Sequence, residues 1–259
     1  MVIGLMVEVK SNQRVGNDYY LLKIRALELT DSIFPGQFVH LKIGRDNLSF
    51  DPLLRRPFSI HDLSDEKDIY LLYRVVGKGT RILTDYKTGD KLDLLGPLGQ
   101  GFKLDFVSRK ILIIGGGMGI APLYFLAKRL AKQNLLKVLI GGKNKEEMEY
   151  FIARFRQADI EFAVATMDGS AGFQGTVVDL WQKDNTQPDY LFACGPEAML
   201  REVQVIAQKK GIPGQVSLEE RMACGIGVCL SCVHKTNKGN QRVCKEGPVF
   251  SLEEVVFDD

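Results

Sequence analysis

Hydrophobic and polar positions along the 259-residue chain follow two different periods, and the change falls near residue 100. Ahead of it, runs such as Tyr19 to Ala26, Gln37 to Ile43 and Ile69 to Val76 alternate apolar with polar side chains, separated by turn clusters such as Phe34-Pro35-Gly36 and Lys87-Thr88-Gly89-Asp90. A period of two marks half-buried strands, and short strands punctuated by turns predict a small antiparallel β-barrel. After residue 109 the pattern becomes strand then helix: Ile111 to Ile114 then Ala121 to Gln133, Val138 to Ile140 then Lys145 to Ala158, Phe162 to Thr166 then Thr176 to Gln182, Tyr190 to Ala193 then Glu197 to Lys210. This repetition predicts a doubly wound parallel sheet with helices on both faces. From about Gly214 the periodicity fades. The expected organisation is β + α/β: an N-terminal antiparallel β-barrel over 1–103, an α/β domain over 104–213, and a small C-terminal domain over 214–259 that needs a bound group for much of its stability.

Composition narrows the function classes. With 45% hydrophobic residues the chain can bury a full core, and a net charge of +2 built from interleaved acids and bases gives no field for nucleic acid. No eighteen apolar residues run together, and the brief apolar stretch from Met1 to Val9 carries Glu8, so neither a membrane span nor a secretory leader is expected. The expected location is cytoplasmic, where thiols stay reduced.

Those thiols carry the sharpest chemical signal. Cys224, Cys229, Cys232 and Cys244 follow the spacing C-x4-C-x2-C with a fourth ligand after eleven intervening residues, the plant-type pattern for a [2Fe-2S] cluster. Gly225 and Gly227 allow the positive φ angles that turn three thiolates onto one inorganic core. Two other uses of four cysteines remain beside this one. Disulfides belong mainly to small oxidised domains, and structural zinc usually takes two well-separated CxxC-like pairs. Cys194 stands apart, in Ala193-Cys194-Gly195-Pro196, with no evident partner base; His40, His61 and His234 read as structural or surface residues.

Three further motifs suit nucleotides. Arg55-Arg56-Pro57-Phe58-Ser59 offers a guanidinium for a phosphate, an apolar surface and a hydroxyl for a ring edge, as a flavin requires. Tyr73-Arg74-Val75-Val76-Gly77-Lys78-Gly79-Thr80 empties a strand into a glycine turn and a helix start, which suits a pyrophosphate; a hairpin turn capped by Thr80 is the plainer alternative. Ile111 to Pro122 runs from strand through Gly115, Gly116, Gly117 and Gly119 into a helix beginning near Pro122, so backbone can approach a dinucleotide. A plain tight turn would use the same glycines. Cys194-Gly195-Pro196 ends a later strand and is expected on the same rim.

In this order, Arg56-Pro57-Phe58-Ser59, Gly77-Lys78-Gly79-Thr80, Gly96-Pro97-Leu98-Gly99, Gly115 to Pro122 and Cys194-Gly195-Pro196 resemble the ferredoxin-NADP reductase superfamily over essentially the whole chain. The run Ser217 to Cys232, closed by Val243 to Phe250, is similar to the family of electron-transfer subunits of dihydroorotate dehydrogenase B. That resemblance implies FAD held by Arg56, Pro57, Phe58, Ser59, Tyr73, Arg74, Val75, Gly79 and Thr80, and the cluster held by the four cysteines. It also implies NAD+ as acceptor, a cytoplasmic heterotetramer with an FMN-containing catalytic subunit, and a place in de novo pyrimidine biosynthesis. The alternatives are a related NAD(P)H-ferredoxin or sulfur reductase subunit, for which Lys143 and Lys145 are candidate 2′-phosphate contacts, and a non-catalytic redox-sensing module. A docking role falls to Ile226, Val228 and Leu230, apolar among the cysteines.

Overall fold

A computed structural model of the protein describes residues 3–44, 51–184 and 186–257. Seven strands form the first sheet: β1 (Ile3–Arg14), β2 (Tyr19–Arg25), β3 (Phe38–Lys42), β4 (Arg56–Ser59), β5 (Asp62–Leu63), β6 (Asp68–Arg74) and β7 (Lys91–Leu98). They pair antiparallel in the order β4-β3-β7-β1-β2-β6-β5. The two edge strands are consecutive pieces of one segment. Ile60 N–H bonds to Gln37 O on the β3 side and His61 N–H to Tyr70 O on β6, so the chain itself carries the sheet round into a barrel. Alternate residues such as Leu22 and Ile24, Val39 and Leu41, and Ile69 and Leu71 fill its interior. A short helix, α1 (Lys78–Leu83), follows β6.

The second sheet collects β8 (Lys110–Gly116), β9 (Leu135–Gly142), β10 (Phe162–Thr166), β11 (Phe173–Gln174), β12 (Tyr190–Cys194), β13 (Gly214–Ser217) and, after the hairpin β14 (Val233–Thr236) and β15 (Gly239–Arg242), β16 (Val249–Ser251). Its order is β11-β10-β9-β8-β12-β13-β16, parallel except for β16. Strand β8 is buried from Ile111 to Gly116, as expected of a strand covered on both faces. Its covers are α2 (Ile120–Leu130) and α3 (Lys145–Gln157) on one side, α4 (Val177–Lys183) and α5 (Glu197–Lys210) on the other. Thr176 and Asp179 cap α4 reciprocally, and Gly211 ends α5 in the left-handed conformation.

The C-terminal segment has an anchor that its weak periodicity did not suggest. It begins as the sixth strand of the parallel sheet, leaves to form the cysteine loop, and returns as β16 beside β13. Cys232, Val243, Cys244, Phe250, Leu252 and Val255 pack into the same core as Leu112, Ile114 and Trp181. Apolar burial therefore supports this segment along with whatever it binds.

Barrel and α/β sheet are fastened directly. Asp62 of β5, almost fully buried, pairs with Lys128 of α2 at 2.8 Å and Arg154 of α3 at 3.2 Å. Beside it His61 Nδ1 lies 2.7 Å from Ala121 O and Nε2 3.0 Å from Tyr150 Oη.

Candidate functional site

Strand order reverses between β8 and β12, and in open α/β sheets ligands bind at the carboxyl ends of strands flanking such a point. Gly115 is paired with Cys194 across these two strands, so both glycine loops lie side by side. A cleft of about 560 Å³ opens there, lined by Gly116, Gly117, Gly119, Gly195 and Pro196 among others. Gly119 is required by packing: a Cβ on it would lie 2.5 Å from the Cys194 carbonyl carbon and oxygen and the Gly195 nitrogen. Gly115 and Cys194 stand behind this wall; Pro122 lines the neighbouring cavity. Lys143 lines the far end of the large cleft, whereas Lys145 lies outside its lining and its backbone N–H bonds to Ser170 Oγ.

The neighbouring cavity, about 290 Å³, lies between barrel and α/β sheet. Pro57, Phe58, Ser59, Tyr73, Arg74 and Thr80 line it from the barrel, and Ala121 and Pro122 from α2. Arg74, Met118, Leu218, Glu219 and Glu220 line both cavities, so the two adjoin. Arg56 and Gly79 sit together just outside the lining, the position of a Cβ on Gly79 being 3.4 Å from Arg56 Nε. Val75 contributes backbone, its N–H bonding to Asp18 O. The Thr80 hydroxyl is occupied within its own loop, accepting from the Val76 and Gly77 N–H groups at 3.0 and 3.1 Å. A long mixed aromatic and polar ligand fits this arrangement: flat apolar walls at Phe38, Phe58 and Tyr73, and a guanidinium beside a glycine turn.

The cysteines converge in pairs. Cys224 and Cys229 interact through their side chains, as do Cys232 and Cys244. Gly225 and Gly227 adopt φ of +71° and +81°, the left-handed values their positions in the loop require. Backbone N–H groups point at sulfur: Gly227 to Cys244 Sγ at 3.1 Å, Val228 to Cys224 Sγ at 3.4 Å, and Cys244 to Cys232 Sγ at 3.4 Å. At Cys224 burial opposes ionisation, but the N–H groups of Cys229, Ile226 and Val228 outweigh it and bring the thiol down to about 6. Cys244 is driven the other way, to about 12, by burial and by Cys232 beside it. Cys232 and Cys224 both hinder ionisation of Cys244, a hindrance that a bound cation relieves; among the described residues the thiols stand as two pairs, and no three ligands gather round a single metal position. Two pairs, each with its own N–H donors, suit two iron atoms. Arg242 braces the loop, donating to Gly227 O at 2.8 Å and to Glu246 Oε2 at 2.9 Å.

Comparison with known proteins agrees with this geometry. Residues 219–256 match the family described as the iron-sulfur cluster binding domain of dihydroorotate dehydrogenase B. An electron transfer subunit of dihydroorotate dehydrogenase B (NAD(+)) from Desulforamulus reducens is 42% identical over 250 residues, covering 93% of this chain and 94% of that one. Its counterpart from Clostridium acetobutylicum is 39% identical over 97% of both. The chain belongs to the family of dihydroorotate dehydrogenase B electron transfer subunits. Among solved structures it is similar to a chain of an NADH-dependent reduced ferredoxin-NADP oxidoreductase, with TM-score 0.82 and 28% identity over 97% of this chain and 90% of that one. A ferredoxin reductase of carbazole 1,9a-dioxygenase, at 22% identity and TM-score 0.67 over 82% of this chain and 67% of that one, shares the fold.

Three residues beside these cavities take their meaning from the fold: Glu219, which sequence reasoning passed over, Cys194, expected on the nucleotide rim, and His40, read as structural or surface. Glu219 lines both cavities, where its side chain is open to solvent, and the protein packed around it raises its pKa. Cys194 lies fully buried nearby; burial, then the Glu219 charge, push its thiol up, against a hydrogen bond with Ser217 that lowers it. It is a neutral thiol and no nucleophile. The third residue, His40, is 0% exposed on β3 and faces the cysteine loop; burial and then Arg55 lower it to about 4, the backbone of Cys224 opposing. Glu219 left only a faint trace in the sequence, as one of two acids ahead of the first cluster cysteine. His234, read as structural or surface, bonds Glu220 at 3.0 Å and lines the larger cleft.

Proposed function

We propose that this chain is the electron-transfer subunit of an NAD-dependent dihydroorotate dehydrogenase in de novo pyrimidine biosynthesis, carrying electrons from a partner catalytic subunit to NAD+. One observation supports it above the others: Met222, two residues before the first cluster cysteine, lines the cavity that Ser59 and Tyr73 enter, and that cavity adjoins the glycine-lined cleft. The three sites form one continuous line. When bound, the [2Fe-2S] cluster exchanges single electrons, FAD takes either one or two, and NAD+ accepts a hydride.

The residues divide accordingly. Cys224 and Cys229 hold one iron, Cys232 and Cys244 the other. Pro57, Phe58, Ser59, Tyr73 and Arg74 hold the flavin ring, and Arg56 with the Val75–Thr80 turn holds its pyrophosphate. Gly115, Gly116, Gly117, Gly119, Gly195 and Pro196 shape the nicotinamide cleft, with Pro122 between the two ligands and Cys194 supporting from behind. Each pair of single electrons that becomes a hydride needs one proton, and the Glu219 carboxyl, lining both cavities with a raised pKa, is placed to pass it. The segments 1–103, 104–213 and 214–259 are the FAD, NAD and cluster units.

The partner is an FMN-bearing catalytic subunit, two of each chain forming a heterotetramer, docked over the cysteine loop. There Ile226, Val228 and Leu230 are 47%, 74% and 60% exposed around an exposed Cys229, an apolar patch of the kind that partners cover. Among the described residues no helix is long and apolar enough to cross a membrane. The five unpaired thiols suit the cytoplasm. Co-purification with the partner, determination of FAD, FMN and iron, and an assay of dihydroorotate-dependent NAD+ reduction test the reading; absence of iron or of that activity in the complex would sink it.

A further inference from the structure

His40 belongs to the barrel by chain and to the cysteine loop by contact. On β3 it pairs across with Pro57 of β4, while Phe38, two residues earlier on the same face, pairs with Ser59. Phe38, Pro57 and Ser59 all line the flavin cavity, and the Phe38 ring meets the His40 ring edge-on at 6.3 Å. The other side of the imidazole presses on the turn after the first cysteine: a Cβ on Gly225 would lie 2.5 Å from His40 Nδ1 and 2.9 Å from Cε1. Glycine at 225 thus serves the close approach of this ring as well as a positive φ. Among the described residues neither ring nitrogen makes a hydrogen bond of good geometry, although the side chain is wholly buried; the Cys224 backbone approaches as a loose acceptor and raises the imidazole pKa against burial. A buried polar group met so loosely is costly unless a better partner reaches it.

We propose that His40 is a positioning residue for the iron-sulfur cluster, its imidazole N–H meeting the Cys224–Gly225 turn or the sulfur held there and fixing the first ligand to the strand that frames the flavin cavity. The inference rests on the proposed function, since it takes the four cysteines as cluster ligands. A hydrogen-bond donor at a cluster stabilises the more negative, reduced form, and such outer contacts set potential and ligand orientation. One strand then carries both contacts, Phe38 to the flavin and His40 to the cluster, so the spacing of the two redox centres is set by β3 and does not depend on a flexible hinge.

The test compares His40→Leu with His40→Asn in the complex as isolated. Leucine keeps bulk and removes the N–H; the asparagine amide stands close to where Nδ1 was. Iron content, the electron paramagnetic resonance spectrum of the reduced cluster, and the equilibrium share of electrons between cluster and flavin in a mediated redox titration are read for each. In His40→Leu the share on the cluster falls about tenfold, about 59 mV for a one-electron centre, with shifted g values. His40→Asn restores most of both. If leucine costs the protein its cluster, retention of cluster and potential by asparagine supports the inference, and loss in both overturns it. A leucine variant with wild-type spectrum and equilibrium overturns it as well, as does an asparagine variant displaced as far as leucine. A wild-type complex without a [2Fe-2S] spectrum would instead refute the functional reading itself.

Discussion

The flavin cavity has two unlike neighbours. On the nicotinamide side the wall is backbone: two glycine loops, a proline and the carboxyl of Glu219 line a cleft large enough for a dinucleotide. On the cluster side the wall is sulfur ringed by apolar side chains, and Cys229 reaches the surface. A hydride must be handed over in contact and with a proton accounted for, so its site is shaped and carries an acid. A single electron needs only closeness, so its site can be small, apolar and exposed to a partner. The fold keeps the two apart by giving them different support: the first rests on β8 and β12 in the middle of the parallel sheet, the second hangs between β13 and β16 at its edge.

The largest effect expected is a clean separation of the two sides. Cys229→Ala should remove the visible cluster spectrum and lower dihydroorotate-dependent NAD+ reduction to background, while NADH oxidation with ferricyanide, which draws electrons from the flavin directly, persists. If both activities fell together, the two sides would not be separable in this way.

The converse break is Gly119→Ala. The new methyl meets the backbone of Cys194 and Gly195, which cannot move without disturbing β12. Overpacking of this kind costs about 1–3 kcal/mol. The KM for NADH in the ferricyanide assay should rise by roughly one to two orders of magnitude, with the cluster spectrum unchanged; an unaltered KM would show that the loop is not the nucleotide wall.

How much of this contrast was legible in the sequence differs by side. The cysteine loop announced itself because ligand spacing is local, and the strand-helix alternation gave α3 and α5 nearly to the residue, since Asn144, Pro196 and Gly211 punctuate them. Strand β1 was harder: its pairing with β2 slips between Val9 and Ser11, and such an irregularity breaks the period-two signal. The closure of the barrel through 56–63, the return of β16 to the sheet, and the meeting of His40 with Gly225 are long-range events with no local pattern. Glu219 likewise becomes an acid of interest only once the fold sets it where the two cavities adjoin.

A comparable effect probes that acid. Desolvation by the protein around it raises the Glu219 pKa, so its carboxyl keeps a proton to higher pH than a free glutamate does. Glu219→Gln should slow steady-state NAD+ reduction about a hundredfold, the lower range for a positioned proton donor, and remove one limb of the pH profile. Unchanged kcat and an unchanged profile would confine Glu219 to packing.

The smallest effect concerns the fastening that keeps the two sides in register. His61 is fully buried between Ala121 and Tyr150, and burial lowers its pKa to about 3, against about 6.5 when exposed. Below pH 6.5 the unfolded chain therefore binds a proton that the folded one refuses. The stability this neutral histidine contributes is complete above that pH and declines as pH falls, by up to about 1.4 kcal/mol per unit, until the folded value is reached. Replacing His61 with glutamine removes the titrating group while keeping a polar side chain at the seam. Urea midpoints at pH 8, 6 and 5 should fall with acid in the wild type and fall less steeply in His61→Gln, the two curves converging as pH drops. Parallel curves would mean that other groups dominate the acid response and that the seam between barrel and sheet is not where the protein yields first.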